Sequence, residues 1–454
     1  MSLISALGAL AGCGDDAPTA VLDPLRDQRI VDVRVVDGLG GVAEHQDVLL
    51  QGGRIVSVGP TGAGGGPAAE QIAGAGMTLL PGFIDAHTHL GGVGAALGDF
   101  QLPTPERNLE AWLRAGVTTV YDLGGRLELN LDFAARTAAG TLAGPRIFTA
   151  GKSITARGGH PIPAAKAFLP WPLSAGAGAL VIQVDGPEDA EAAVADAAKG
   201  GSALIKILSD SLPPGAPELS PETVGALVAA AHARGLPAFV HVGTEAEALV
   251  AARAGADVLA HGIYRGGLSA AGAAEIAALG VTVIPTLTGF LDTAAMSEGA
   301  WLPTPLDASL GWEPLYAPIL GDGGKAFGAE PTLGAFARGI DRDMGAGVSL
   351  MYQAGVPLLV GSDAPIAAVY AGSAYHRELV RLVACGIPPL EVLSMATGRA
   401  ARLLVAEPDF GAIGPGMVAD LVLVEGDPTQ DIRAASNIVG VWRQGRQVRV
   451  VAAP

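Results

Sequence analysis

Eight short apolar runs, at 79–86, 117–122, 146–150, 203–208, 238–241, 258–260, 281–285 and 358–361, alternate with Ala- and Leu-rich stretches of helical length such as 221–234, 245–254, 270–279 and 373–384. Side chains two apart in a strand point the same way, whereas helical side chains repeat every three to four, so the switching between these periods reads as a βα repeat. Strands joined by crossover helices run parallel, and eight such units predict an α/β fold of the (β/α)8 TIM-like barrel type. Shorter β-rich runs flank this region at 30–36, 47–50 and 54–58, and again at 419–424, 438–442 and 447–451. Neither group has enough strands to bury a core alone, so the two ends are expected to pair into one small β-sandwich. The expected division is a leader or linker over 1–28, a β-sandwich domain from 29–78 plus 417–454, and a barrel over 79–416.

Composition narrows the function. Half of the 454 residues are hydrophobic and 16% are charged, which excludes disordered, collagenous and coiled-coil chains. A formal charge of -17 repels phosphate backbones, so nucleic acid is not an expected partner. Two cysteines, Cys13 and Cys385, make no disulfide framework and no CxxC metal spacing, so any metal site must come from histidines and carboxylates. No apolar run approaches the roughly 18 to 20 residues that span a bilayer. Leu10-Ala11-Gly12-Cys13, followed by Gly14-Asp15-Asp16, resembles a bacterial lipobox, although no Lys or Arg precedes Cys13. The expectation is an exported, periplasmic or membrane-anchored lipoprotein with a lipid anchor at Cys13, and otherwise a cytoplasmic protein.

The polar residues inside this apolar frame point to chemistry. His87 and His89 end the first barrel run two apart, so both imidazoles are able to reach one metal ion at the barrel mouth. His241 ends the fifth run, His261 follows the sixth, and Asp363 follows the eighth. Barrel enzymes build their active sites at those C-terminal strand ends. Lys206 stands inside the apolar strand run Ala203-Leu204-Ile205-Lys206-Ile207-Leu208, where an unpaired ammonium is costly and must be paired or chemically changed. Two long connections, 151–200 and 286–331, hold Phe168 and Trp171, and Phe290, Trp301, Trp312, Tyr316 and Phe327. These aromatics either line an apolar pocket or pack the connections onto the barrel. His376, early in the last barrel helix, is left open between the two.

From about Arg29 to Val451 the chain resembles the metal-dependent amidohydrolase superfamily, in the branch of imidazolonepropionase-related hydrolases, prolidases and carboxypeptidases. The motifs that carry the resemblance are Pro81-Gly82-Phe83-Ile84-Asp85-Ala86-His87-Thr88-His89, Gly158-Gly159-His160, Ile205-Lys206-Ile207, Val240-His241, Ala260-His261-Gly262, Gly361-Ser362-Asp363 and Ala419-Asp420-Leu421. The resemblance implies two divalent metal ions, zinc first and manganese, iron or cobalt after it. His87, His89 and Asp363 would hold one, His241 and His261 the other, and Lys206, carboxylated by CO2, would bridge them. It further implies hydrolysis by a metal-bound hydroxide, with Asp363 shuttling the proton to the leaving group.

For the substrate, the resemblance implies that His160 binds or polarises it, and Tyr264 and Arg265 are candidates for a substrate carboxylate. Tyr121 occupies the position, before Asp122, where many relatives have arginine, and it joins the candidate substrate contacts. His160-Pro161-Ile162-Pro163 departs from the small and acidic residues that follow this histidine in carboxypeptidase-like members. The expected reaction is cleavage of an amide-type C-N bond in a small molecule or short peptide, such as a peptide, an N-acyl amino acid or a cyclic amide. Alternatives are hydrolysis of an ester, lactone or carbamate, or deamination, on the same site. A non-catalytic ligand-binding lipoprotein is a rival from another class. A homo-oligomer is a further expectation.

Overall fold

The structure is a computed structural model that describes residues 19–63, 70–92, 94–95 and 104–451, so Cys13 and the lipobox-like run lie outside the described residues. The architecture is mixed α/β. Phe83–Thr88, Val117–Asp122 and Arg146–Thr149 form one parallel sheet. Ile205–Leu208, Ala238–His241, Val258–Ala260 and Thr282–Ile284 form most of another, with Ile154–Ala156 added beside Ile205–Leu208 and Ile182–Val184 outside it. Ala203 N donates to Thr149 O at 2.9 Å, joining the two sheets on one side. On the other side, Leu359 N donates to Val283 O at 3.0 Å and Ala86 N donates to Val360 O at 3.0 Å.

One set of alternate strand residues, among them Ile84, Tyr121, Leu204, Phe239, Val258, Ile284 and Leu359, meets in a common buried cluster. The opposite set, including Val120, Ile205, Val240, Leu259 and Val283, packs against the helices. The parallel strands are therefore buried on both faces, as their nearly continuous apolar runs require.

The expected first strand, 79–86, is two strands. Met77–Pro81 pairs antiparallel with Leu421–Glu425 in a different sheet, and Phe83–Thr88 begins the parallel one. The break falls at Gly82, which packs so close to Thr118 that a β-carbon there would collide with its side chain. The eighth run is not a regular strand either: Leu358 and Ala364 make isolated parallel bridges, and Asp363, at φ +62°, leaves the extended region. The connection at 286–331 is helical, built from Leu287–Ser297, Pro305–Ser309, Glu313–Pro318 and Gly324–Ala329 with a short kinked turn.

The two chain ends share one nine-stranded, largely antiparallel sheet, in which Met77–Pro81 lies between Leu421–Glu425 and Gln28–Val36. Thr19–Leu22, in the stretch expected to be leader or linker, pairs with Arg446–Val451 as its edge. Ile30, Val33, Val48, Leu79, Leu421 and Trp442 give this sheet a buried core of its own. Among the described residues, no helix is long and apolar enough to cross a membrane.

Candidate metal centre

Alternation along the strands aims the first candidate ligands. Leu204 and Phe239 point into the common cluster, so Lys206 and His241, two residues on, face the same side at the C-terminal ends. His261 follows Ala260, which already faces inward, and regular alternation would turn it away. Its φ of +106° brings it back. Thr286 at +48° and Asp363 at +62° are also left-handed, a conformation that costs a non-glycine residue roughly 1 to 3 kcal/mol and gathers at functional sites.

These side chains meet. Oδ1 of Asp363 stands 3.2 Å from Nε2 of His87 and 3.1 Å from Nε2 of His89. The His87 and His261 ring centres are 4.5 Å apart, and those of His241 and His261 4.2 Å. Nε2 of His261 lies 2.9 Å from Nδ1 of His241, and its Nδ1 lies 2.6 Å from the Thr286 hydroxyl. His160 brings its ring to 4.8 Å from that of His241. Two groups have the donor spacing for a cation: His87, His89 and Asp363, and His160, Asp210 and His241.

Asp210 was not among the residues singled out from the sequence. It lies four residues beyond Lys206, just past a strand end, and that placement was the available signal. Its side chain is fully buried, accepts from Tyr264 Oη at 2.8 Å, and lies 3.1 Å from Nε2 of His241. Thr286, behind His261, was also missed.

Burial sets the charge states. It lowers His87 to about 3, with the Lys206 charge adding to the effect, and lowers His160 to about 4. It also holds His261 well below the ordinary value, helped by His241 and His87. Such rings stay neutral at neutral pH, with a lone pair free for a metal ion. For His89 burial acts the same way, but the hydrogen bond and charge of Asp363 outweigh it and raise the ring's pKa. Burial would raise Asp363 and Asp210, yet the neighbouring imidazoles hold both below the usual carboxylate range. Lys206 is lowered to about 7 by burial, against the pull of Asp363 and Asp210. Among the described residues its Nζ has no hydrogen-bond partner.

Most of the remaining candidates are packed or already paired. Tyr121 is a core residue: its hydroxyl donates to Ala400 O at 2.6 Å and its ring meets Phe148 edge-on, within the common cluster. Tyr264 is fully buried, stacked on Phe290 at 4.0 Å, with its hydroxyl committed to Asp210. Arg265 donates to Glu247 at 2.9 Å and to Ser211 O at 2.7 Å, so its charge is already met. Trp301, Trp312 and Tyr316 gather around Tyr370 as packing, whereas Phe290 sits edge-on to His261 at 4.9 Å. Trp171 is exposed. His376 is buried, with Nε2 2.9 Å from Ala115 O.

Residues 78–453 match the amidohydrolase family model. The chain is 26% identical over 400 residues to an ochratoxinase of Aspergillus niger, covering 81% of this chain and 75% of that protein. It resembles the crystal structure of a Xaa-Pro dipeptidase with bound methionine, at TM-score 0.73 and 24% identity over 93% of this chain and 99% of the other. A prolidase complexed with N-methylphosphonate-L-proline aligns at TM-score 0.70 and 25% identity, over 94% of this chain and all (100%) of that one. With the family model covering most of its length, this chain belongs to the amidohydrolase family and is a hydrolase acting on carbon-nitrogen bonds.

Proposed function

We propose that this protein is a binuclear metal hydrolase that opens an amide-type bond in a small, partly apolar substrate, on a closed (β/α)8 barrel to which the terminal segments add a separate β domain. The observation that carries the reading is the position of Lys206. It is a buried lysine without an ion pair among the described residues, within electrostatic reach of both Asp363 and Asp210. His87 and His89 adjoin Asp363, and His241 adjoins Asp210.

The residues fit a pair of divalent cations. Both ring nitrogens of His87 and Nζ of Lys206 are buried without an aligned hydrogen bond, and imidazole with carboxylate suits zinc, manganese, iron or cobalt. His87, His89 and Asp363 would hold one ion, and His241 and His261 the other. An ammonium would repel both. A neutral Lys206, favoured by burial, would add CO2 at Nζ and release a proton, becoming an anion able to bridge them. When bound, the ions supply a water that ionises near neutral pH and a Lewis acid for the scissile carbonyl. Asp363, at hydrogen-bonding distance from two imidazoles, would take the proton of the attacking water and deliver it to the leaving nitrogen. His160 would orient the carbonyl group. Phe290 supplies an apolar wall beside His261.

The similar proteins named for dipeptides, proline and ochratoxin support a substrate with an acylated amino-acid nitrogen. The test is metal content per chain after expression with zinc or manganese and bicarbonate, followed by turnover of Xaa-Pro dipeptides, N-acyl amino acids and lactams. Two ions and hydrolysis of one of these classes is the expected result. One ion would leave a mononuclear site with unmodified lysine, and none would restore the ligand-binding scaffold. Lys206→Ala should lose metal and activity together, with partial recovery in short carboxylic acids. A fully metallated, active Lys206→Ala protein would overturn the bridge.

A further inference from the structure

His241 and His261 face each other through different nitrogens, Nδ1 of the first and Nε2 of the second, 2.9 Å apart. Behind each ring stands a polar group. Oδ2 of Asp210 is 3.1 Å from Nε2 of His241, within hydrogen-bonding distance but off the line of a straight bond, and Oγ1 of Thr286 is 2.6 Å from Nδ1 of His261. The two supports differ in kind. A hydroxyl donates or accepts, whereas an ionised carboxylate only accepts. Thr286 therefore tolerates either tautomer of His261, while Asp210 accommodates one tautomer of His241, with the proton on Nε2.

Asp210 is itself held in place. Tyr264 Oη donates to the same Oδ2 at 2.8 Å, and the Tyr264 ring stacks on Phe290 with centres 4.0 Å apart. An acceptor fixed behind a ligand imidazole sets its tautomer, orients the ring and raises the basicity of the coordinating nitrogen. We infer that Asp210 is the positioning residue for His241, holding its proton on Nε2 so that the Nδ1 lone pair faces the point shared with Nε2 of His261, with Tyr264 as the clamp on Asp210. This rests on the reading of His241 and His261 as ligands of one ion.

The arrangement admits one competing use. His160, Asp210 and His241 have donor atoms within 4.8 Å of one another, and Oδ1 of Asp210 and Nδ1 of His160 are buried without partners among the described residues. A cation held by those three would need the lone pair of His241 on Nε2, the opposite tautomer. The two uses therefore exclude each other.

Stepwise zinc and cobalt affinities, measured by chelator competition on the full chain, test the inference alongside imidazole nitrogen NMR. Asp210→Asn keeps the shape and an acceptor for Tyr264 but loses the charge. It should weaken one ion by about 10- to 100-fold, leave the other unchanged, and alter the cobalt spectrum of the weakened site. Tyr264→Phe should weaken the same ion by less, and it carries the test if Asp210→Asn fails to fold. NMR should find His241 protonated on Nε2 with and without zinc. Unchanged affinities in both variants, or His241 protonated on Nδ1, would overturn the inference, as would a third ion in the wild type that Asp210→Asn removes. A wild-type chain binding fewer than two ions would instead refute the binuclear reading, and the tautomer of the metal-free protein would still decide the role of Asp210.

Discussion

Gly289 abuts Asp363: a β-carbon on the glycine would stand 3.0 Å from Cβ of Asp363 and 3.2 Å from its Oδ2. The helix Leu287–Ser297 thus leaves a gap in its first turn that the carboxylate fills. Asp363 is held from the other side by His87 and His89, so it has little room to yield.

Gly289→Ala should therefore lower kcat by at least about tenfold, since a small misplacement of a reacting group is costly. Alanine gains up to about 1 kcal/mol of helix propensity over glycine, so the melting temperature should fall little. Kinetics and thermal unfolding on the same preparation check the pair. Full activity in a stable Gly289→Ala protein would show that Asp363 moves freely.

Replacing Asp363 by asparagine removes the proposed proton acceptor while preserving shape. Loss of a general acid-base group should reduce kcat by roughly 10²- to 10⁴-fold, with circular dichroism unchanged. Retained turnover would end its assignment as proton carrier.

Tyr121→Phe separates the core reading from the substrate-contact reading. The variant deletes a buried hydroxyl and its hydrogen bond to Ala400 O, a carbonyl inside the helix Gly398–Leu404, which should cost about 0.5 to 1.5 kcal/mol in denaturant unfolding. KM should stay the same. A raised KM with unchanged stability would return Tyr121 to the substrate pocket.

His376 provides a pH test remote from the metal centre. Burial, partly offset by the hydrogen bond to Ala115, lowers it from the ordinary 6.5 to about 4. Between those values the unfolded chain binds more protons than the native one, so stability rises with pH across the window and is lost as pH falls through it. By pH 5 the loss from this one group should be about 2 kcal/mol relative to pH 7. His376→Gln, which keeps a donor for Ala115 O, should flatten that acid limb in urea titrations at the two pH values. Identical pH slopes in both proteins would exclude the assignment.

The strand pattern and the placement of His87, His89, His241 and Asp363 at or just past strand ends were legible in the chain because they follow from local periodicity. Residues two apart in a strand face the same way, which is why His87 and His89 could be paired from the sequence. The break at Gly82 was not legible, because the segments on either side pair with different strands, Leu421–Glu425 and Val117–Asp122, brought in from elsewhere in the chain. The burial of Tyr121 likewise rests on Ala400 and Phe410, which approach from the far end of the chain.

The sequence by itself determined the alternation of strands and helices, the apolar faces, and the presence of imidazoles and a carboxylate at or just past strand ends and of one lysine inside a strand. All of these depend on residues close together in the chain. Only the tertiary structure decided how the site closes. His261, Thr286 and Asp363 adopt left-handed backbone conformations that local preference disfavours, and Asp210 comes behind His241 from a separate strand end. The physical reason is that packing and hydrogen bonds from several strands outweigh the local conformational cost at those positions, and that sum exists only once the strands are side by side.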